Sequence, residues 1–439
     1  MKRAIERFAA GIGIAAACIA AAAQQAAGPA AKTPAKLTLA EAEHLAIQNN
    51  PNISVARLLA LAQKQTVRAA RSNYMPMLEG SMTAVDAHTN SRITAGVINN
   101  PSIYNRAAGG LTVSELITDF GRTHHLVMSA RSSAEAQLES ERATEEDITL
   151  TVDQAFYQAL SAQAVLKVAE QTVNERKATA EQVGALTKAK LRSDVDLSFA
   201  QVQLSQAQLM LLDAKNQMQT AMAELNDVLG TSQDRNYTLV DETKKNPPPP
   251  PASATPLVQE AYNQRPDLAA LNDNFTAATE YSKAERDLWM PTVSALAAVG
   301  GTPVRADQIQ SPWYGAAGAN INIPIFNGFL YNAREREAKL RASAAEQQVR
   351  NMRDNIARDV RTAVLNAQEA FDRIGVTEEM LKQSNMALDL SQRRYNIGLS
   401  GIVELTQAQL SQTQAEIAEA NARYDYATTL AVLRYQLGQ

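Results

Sequence analysis

The chain has almost nothing that could stabilise it covalently, because its single cysteine is Cys18, near the N-terminus. A disulfide framework within one chain is therefore excluded. Aromatic residues make up only 5% of the sequence, and between Arg122 and Leu229 there is no proline and only one glycine, Gly184. The remaining composition, rich in Ala, Gln and Leu, favours long helices over a sandwich or an α/β sheet.

The sequence also lacks the features of a nucleic-acid-binding protein or an enzyme. The formal net charge is only -4, so no basic surface indicates a nucleic acid partner. No phosphate-binding loop, nucleophile elbow or metal-ligand spacing occurs in it. His124 and His125 are adjacent, with no cysteine or acidic cluster beside them, and do not indicate a metal site. We therefore expect neither catalysis nor a cofactor.

The N-terminus has the pattern of a secretory signal peptide. Three basic residues precede an apolar run over residues 8–23, which is short for a permanent membrane span. We predict that residues 1–23 are a signal peptide cleaved after Ala23, so that the protein is exported. Cys18 leaves an alternative open, lipidation of that cysteine, although Ala15 stands where lipidation signals usually have leucine.

Most of the remaining chain contains the same pattern twice. An offset of 215 residues aligns Pro51 with Pro266, and an offset of 208 residues aligns Leu229 with Leu437. The difference between the offsets predicts that the first copy has a longer hairpin loop, since loops absorb length changes at low cost. A duplication of this length indicates a repeat-built architecture rather than a catalytic domain.

The first copy, residues 37–240, is predicted to contain two short helices, a pair of strands and a long helix. The bounds are a helix over 37–48, a helix over 51–74, strands within about 77–119 with a polar connection over 88–105, and a long helix over about 122–188. A break near 184–193 separates the long helix from a final helix, because an uninterrupted helix to Leu229 would be longer than a domain requires.

A proline-rich linker, residues 241–256, precedes the second copy and predicts an extended, semi-rigid connector. The second copy, residues 257–439, repeats the plan. Its bounds are strands within about 292–326, the second of them over 313–325, a long helix over about 331–396, a break at 398–401 and a final helix to Leu437.

Several short sequences recur in the same order in the two copies. They are Asn49-Asn50-Pro51 and Arg265-Pro266-Asp267 at the openings, residues 114–121 and 323–328 between strand and helix, and the Leu-Gly ending of each copy. The second copy also has Arg394-Tyr395-Asn396-Ile397-Gly398 before its break. Together they resemble the TolC-like outer-membrane efflux proteins, the outer membrane factor family. The resemblance covers essentially all of the chain after the signal peptide.

The resemblance implies a mainly α fold with a β-barrel part, internally duplicated. Each chain of a homotrimer would give four strands to a 12-stranded transmembrane β-barrel and long helices to an α-helical barrel in the periplasm. It also implies that residues 51–74 stack end to end with residues 191–229 beside the long helix. The partners would be outer-membrane lipid, a periplasmic adaptor (membrane fusion) protein and an inner-membrane pump.

The resemblance further implies that the two breaks between long and short helices form a periplasmic gate. It assigns candidate gate residues, which are Asp196, Glu404, Tyr395, Arg192 and Asp194, and tip-turn residues, which are Gly398 and Gly401. Asp196 and Glu404 are equivalent in the two copies, so a trimer would hold a ring of six carboxylates that attracts cations. One alternative stays open, in which Arg192 and Asp196 form an ordinary i,i+4 pair on a solvated helix.

Trp313 and Tyr314 begin a predicted strand and are candidates for an interfacial aromatic girdle. Local packing of a loop aromatic is the alternative for both.

The resemblance implies an outer-membrane channel with a long periplasmic extension, the exit duct of a tripartite efflux pump or type I secretion system. The rival interpretation is a periplasmic coiled-coil scaffold or adaptor, in which the strand segments would be loops. The sequence does not identify the transported substrate or the pump.

Overall fold

The computed structural model describes residues 35–86, 92–95, 98–102, 106–231, 237–243, 247–305 and 311–439. The predicted signal peptide and Cys18 lie outside the described residues. Helices dominate the described part. They are α1 (Leu39–Asn49), α2 (Pro51–Arg71), α3 (Arg122–Lys188), α4 (Asp194–Val228), α5 (Thr255–Gln264), α6 (Pro266–Arg286), α7 (Leu330–Asn396) and α8 (Ile402–Leu437). No helix in the described part combines the length and apolar composition that crossing a bilayer requires.

The strands are short by comparison. They are β1 (Ala35–Leu37), β2 (Met77–Val85), β3 (Arg92–Ala95), β4 (Ile98–Ser102), β5 (Arg106–Thr118), β6 (Tyr237–Leu239), β7 (Thr292–Val304) and β8 (Trp313–Asn322). Four of them form one antiparallel sheet in the order β2-β5-β7-β8, so that the hairpins of both copies lie side by side. The two edges of this sheet are β2 and β8.

The short helices begin where local sequence stops the preceding element. Thr38 caps α1 through a capping box with Glu41, which satisfies backbone N–H groups that have no partner within the helix. Asn50 then caps α2 by accepting from the Asn52 amide, and Pro51 occupies the first turn, where its missing N–H costs nothing. In the second copy Pro266 has the same place in α6.

The long helices α3 and α7 each contain 67 residues, or about 100 Å at 1.5 Å per residue. Both follow a corner with two successive left-handed residues, Phe120-Gly121 before α3 and Gly328-Phe329 before α7. Asp119 fixes the first corner, because its carboxylate accepts from the Thr123 amide at 2.7 Å. Each corner thus connects a strand to a long helix through a short segment, from Thr118 to Arg122 and from Asn322 to Leu330.

Small and aliphatic side chains hold the helices together. One buried cluster surrounds Phe156 of α3 and Leu225 of α4, and a second surrounds Ile356 of α7 and Leu268 of α6. Full burial of one such side chain stabilises the fold by about 2 kcal/mol. In these clusters alanines occupy many of the positions between helices, which allows close approach of the backbones.

The last residues of each copy abut its opening residues. Gly230, after α4, has φ +66°, and a Cβ atom there would lie 2.8 Å from the Asn49 carbonyl carbon. The Asn50 side chain donates to the Val228 carbonyl at 3.1 Å across the same junction. Gly438, after α8, has φ +77°, and a Cβ atom there would lie 2.9 Å from the Arg265 amide nitrogen. Helices α2 and α4 therefore stack end to end beside α3, in the arrangement that the resemblance implies.

Three details differ from the sequence prediction. The helix expected over 37–48 begins at Leu39, because Leu37 belongs to β1, which pairs in parallel with β6. The connection expected over 88–105 contains the β3–β4 pair. The strand expected to reach Ile325 ends at Asn322, because its partner strand begins at Thr292 and Pro324 has no N–H to donate.

The proline-rich linker has no regular secondary structure over residues 247–254. It is nevertheless tied to the helices. The Tyr426 hydroxyl of α8 donates to the Pro248 carbonyl at 2.6 Å, and the Gln368 amide of α7 donates to the Pro251 carbonyl at 3.0 Å.

Candidate functional site

The two tip turns are residues 189–193, between α3 and α4, and residues 397–401, between α7 and α8. Both turns have the same hydrogen-bond pattern. The Leu191 amide donates to the Leu186 carbonyl at 2.9 Å, and the equivalent Leu399 amide donates to the Arg394 carbonyl at 2.8 Å. Each turn needs one left-handed residue, which closes the helix end.

Different residues fill that left-handed position. Gly398 has φ +79°, and a Cβ atom on it would meet no atom within 4 Å. Lys190, its equivalent in the first copy, has φ +58° and has a Cβ atom. A non-glycine residue there costs roughly 1 kcal/mol, so the first tip turn is held at a conformational cost that the second avoids.

The short helices beyond the turns also begin differently. Ser193 caps α4 in a capping box, in which its hydroxyl accepts from the Asp196 amide and its amide donates to the Asp196 carboxylate at 3.3 Å. Gly401 caps α8 without any side-chain hydrogen bond. Glu404 therefore has no capping role and instead pairs with Arg394, at 3.4 Å.

Arg192 joins the first tip turn to the end of α7 in the same chain. Its guanidinium carbon lies 4.3 Å from the centroid of the Tyr395 ring, and its Nη2 donates to the Tyr395 carbonyl at 2.8 Å. No ion pair with Asp196 forms, so the i,i+4 alternative for Arg192 does not describe this structure.

Tyr395 is the centre of the tip cluster. Its side chain is buried among Val183 and Ala200 of the first copy and Ile402 and Leu405 of the second. Its hydroxyl has no hydrogen-bond partner. Burial raises the pKa of Tyr395, and the nearby Asp196 carboxylate raises it further while Arg192 lowers it. The phenol is thus held neutral next to one cation and one anion.

The structure therefore brings Arg192, Tyr395 and Asp196 together and places Glu404 beside Arg394. Asp194 is exposed in the first turn of α4, where its contribution is favourable interaction with the helix N-terminus. Gly398 and Gly401 lie between α7 and α8, where the sequence predicted a break; Gly398 is left-handed and Gly401 is the N-cap of α8. Sequence reasoning did not foresee the Arg192–Tyr395 contact, because the two residues are 203 positions apart.

The four-stranded sheet has two faces of different chemistry, which the strand register separates. One face is mainly apolar and carries Leu78, Met82, Leu111, Val113, Ala295, Ala297, Val299, Trp313, Ala317, Ala319 and Ile321, with Glu115 as an exception. The other face carries most of the polar side chains, including Glu79, Ser81, Thr83, Thr112, Ser114, Ser294, Tyr314, Asn320 and Asn322.

Trp313 and Tyr314 consequently lie on opposite faces. Trp313 pairs with Gly301 on the apolar face and is 64% exposed, as a girdle residue would be. Tyr314 pairs with Gly300 on the polar face. Adjacent strand residues point to opposite sides of a sheet, so an aromatic girdle on the apolar face would include Trp313 and not Tyr314.

His125 has acidic partners that its sequence neighbourhood does not contain. Its Nδ1 lies 2.6 Å from the Glu280 carboxylate, and its Nε2 lies 3.6 Å from that of Asp287, both in the second copy. These contacts join α3 to the end of α6 just below the sheet. Neither carboxylate is near His125 in the sequence, so only the fold brings them together. Within the described ranges, no group of three or more His, Cys, Asp or Glu side chains could hold a metal ion.

Comparison with known proteins gives a consistent result. Residues 43–231 and 257–439 match the sequence profile of the family described as "Outer membrane efflux protein". The chain is 22% identical to outer membrane protein TolC of Salmonella enteritidis over 91% of this chain and 83% of that protein. It is 24% identical to outer membrane efflux protein BepC of Brucella suis, over 88% of this chain and 82% of that protein.

Solved structures show the same fold. The crystal structure of the Campylobacter jejuni CmeC outer membrane channel superposes with a TM-score of 0.79 at 18% identity, over 91% of this chain and 85% of that one. The outer membrane protein VceC of Vibrio cholerae gives a TM-score of 0.77 at 19% identity, over 91% and 96% of the two chains.

Proposed function

The chain belongs to the outer membrane efflux protein family, and we propose that it is the exit duct of a tripartite efflux or secretion assembly. As a member of this family it is an outer-membrane protein and an efflux channel.

The single observation that carries the proposal is the four-stranded sheet with unpaired edges at β2 and β8. Exposed strand edges cannot face lipid, because their N–H and C=O groups would have no partners there. Four strands are too few to close on themselves around a lumen. Three copies, pairing the β8 edge of each chain with the β2 edge of the next, supply 12 strands and leave no edge.

The two faces of the sheet fit such a barrel. Leu111, Val299 and Ile321 on the apolar face would contact lipid, and Ser81, Thr112 and Asn320 on the polar face would line a water-filled lumen. Trp313 would lie at the outer interface on the lipid side. The long helices continue the duct into the periplasm over about 100 Å.

The tips of the helices would form the gate. In a closed duct, the contact between Arg192 and Tyr395 holds the α3–α4 and α7–α8 turns of one chain together. Asp196 and Glu404 of the three chains would line the narrow mouth with negative charge, which favours cations and also repels itself. Opening would separate the tips after the Arg192–Tyr395 contact is lost.

As partners we propose a periplasmic adaptor and an inner-membrane pump, which would drive transport through this member of the outer membrane efflux protein family. Whether the cargo is a small molecule or a polypeptide depends on that pump.

The rival interpretation, a periplasmic scaffold or adaptor, required the strand segments to be loops. They instead form a four-stranded antiparallel sheet, in which the β5–β7 register shifts only near the two ends of the pair. A scaffold in water also has no use for an exposed apolar face such as that of Leu111 and Val299.

Extraction of the protein from outer membranes tests the proposal. We expect a trimer that migrates as a compact species in unheated SDS gels and as a monomer after boiling. A soluble periplasmic monomer would contradict it.

A further inference from the structure

Tyr314 lies across two neighbouring strands on the polar face of the sheet. The register places Tyr314 of β8 opposite Gly300 of β7, and Gly300 opposite Gly110 of β5. A Cβ atom at Gly110 would lie 3.0 Å from the Cζ atom of the tyrosine ring, and a Cβ atom at Gly300 would overlap the ring. The ring therefore rests against the backbone of β7, and its hydroxyl reaches β5.

The two glycines are what permit this position. Neighbouring strands are about 4.8 Å apart, so a tyrosine ring spans roughly the distance from its own strand over the next one. With alanine or a larger residue on β7, the ring would have to turn away from the wall. On the same face, one pleat nearer the helices, Ala316 faces Ala298. The methyl group of Ala298 occupies the space that a glycine would leave open for a ring.

The position of Tyr314 in the sheet suggests what the space above Gly110 and Gly300 does. Tyr314 is the second residue of β8, close to the connection between β7 and β8, at the end of the sheet that is farthest from the helices. In the proposed barrel this is the outer end of the lumen, and three copies place three rings around it. Rings that stood out from the wall would narrow the passage, whereas rings that lie flat would not.

We propose that Gly110 and Gly300 form a recess in the lumen wall that holds the Tyr314 ring flat, and that this recess keeps the outer end of the duct wide. The inference rests on the proposed function, since it needs the polar face to line the lumen. The flat Tyr314 ring then forms part of the lumen wall and does not narrow the lumen.

A cysteine on the lumen side of the sheet, nearer the helices than Tyr314, can measure the width of the outer lumen. Reagents added from outside reach it without passing the periplasmic gate. Asn320→Cys puts a thiol on the same face of β8, six residues or about 20 Å nearer the helices than Tyr314. Intact cells are treated from outside with a small membrane-impermeant maleimide and with a bulky poly(ethylene glycol) maleimide. The parent chain, whose only cysteine is Cys18, gives the background.

The decisive variants move the ring by one pleat. In Tyr314→Ala/Ala316→Tyr the ring faces Ala298 and must project into the lumen, so the ratio of bulky to small labelling should fall about tenfold. Tyr314→Ala alone should leave the ratio unchanged. Tyr314→Ala/Ala317→Tyr is the matched control, because position 317 is on the apolar face, and it too should leave the ratio unchanged. Heat-modifiable trimers in each variant establish that the barrel has assembled.

Two outcomes overturn the inference while leaving the duct intact. One is a higher ratio in Tyr314→Ala, since the ring would then already obstruct the passage. The other is an unchanged ratio in Tyr314→Ala/Ala316→Tyr. A different failure, in which the small maleimide does not label Asn320→Cys in any variant, contradicts the lumen itself and therefore overturns the proposed function and the inference together.

Discussion

The guanidinium of Arg192 lies over the ring of Tyr395, 4.3 Å from its centroid, and also donates to the Tyr395 carbonyl. Because Arg192 belongs to the first tip turn and Tyr395 to the end of α7, this contact joins the two copies within one chain at the periplasmic end. A cation–π contact and a charged hydrogen bond together contribute about 2 kcal/mol.

Loss of this contact should favour the open duct. We expect Arg192→Ala to raise the open probability in planar bilayers by about tenfold, in keeping with a loss of 1–2 kcal/mol. Arg192→Lys, which keeps the charge without the planar stacking surface, should have an intermediate effect. Asp194→Asn in the same turn is the control and should behave as the wild type. Equal open probabilities for all four proteins would remove Arg192 from the gate.

The two tip carboxylates should determine the cation preference of the mouth. Asp196→Asn and Glu404→Gln each remove three charges from a trimer, so reversal potentials under a salt gradient should shift towards non-selectivity. Asp196→Asn keeps an acceptor for the Ser193 amide, whereas Asp196→Ala also loses the capping box and about 1 kcal/mol of helix stability.

The comparison between these substitutions at Asp196 separates its two roles. If Asp196→Asn retains full cation preference, the carboxylate acts only as a cap. The thermal stability of the two variants then tests the capping role, since only Asp196→Ala should be destabilised.

The glycines that end each copy should be sensitive to substitution. Gly230→Ala combines a left-handed backbone with a clash against the Asn49 backbone, and Gly438→Ala does the same against Arg265. We expect a loss of about 3 kcal/mol for each, seen as a lower melting temperature of the extracted trimer. Gly398→Ala is the matched control, because its φ is +79° but its Cβ atom would meet no atom within 4 Å. It should lose only about 1 kcal/mol. Equal losses at all three positions would show that the junction contacts contribute nothing.

Much of this architecture could be predicted from the sequence, because composition and periodicity predict long helices. The stretch without proline predicted α3 over residues 122–188, and the structure has Arg122–Lys188. The β1–β6 pair was missed, since each strand has only three residues and their pairing depends on chain segments about 200 positions apart. Strand length was overestimated at Ile325 because alternation of apolar residues continues beyond the last partner on β7.

The contacts of the candidate site were less predictable, because they join residues that are far apart in the sequence. Arg192 with Tyr395, and His125 with Glu280, are contacts between the two copies, which only the assembled fold brings together. The separation of Trp313 from Tyr314 is different, since adjacent positions in a strand already dictate opposite faces. The adjacency of Trp313 and Tyr314 in a predicted strand was therefore enough to place them on opposite faces.

A buried carboxylate should make the stability of the helical part depend on pH. Burial raises the pKa of Asp153 to about 7, and the adjacent Glu43 carboxyl contributes in the same direction, against the opposing effect of Arg434. Because the pKa is higher in the folded chain, protonation favours folding. The resulting stability is complete below the unfolded pKa of about 4 and is lost as the pH rises to about 7.

Asp153→Asn should remove this dependence. Above pH 7 the variant should be more stable than the wild type by about 1–2 kcal/mol, and near pH 4 the difference should vanish. Arg434 is half exposed and can stay hydrated without its partner. Thermal melts followed by circular dichroism between pH 4 and pH 8 measure the effect. A variant that is less stable at high pH would mean that the ion pair with Arg434 outweighs the cost of burial.

The central claim is that three chains close one barrel by pairing β2 with β8. Within one chain these edges are separated by two strands, or about 14 Å, which is too far for a disulfide. Ser81→Cys on β2 can therefore be combined with a cysteine at Ala316, Gly318 or Asn320 on β8, all on the same face. Oxidation in the outer membrane should give a covalent trimer and no larger species for at least one pair, and boiling without reductant should preserve it. Monomers for every pair, or a ladder that continues beyond the trimer, would contradict the closed barrel.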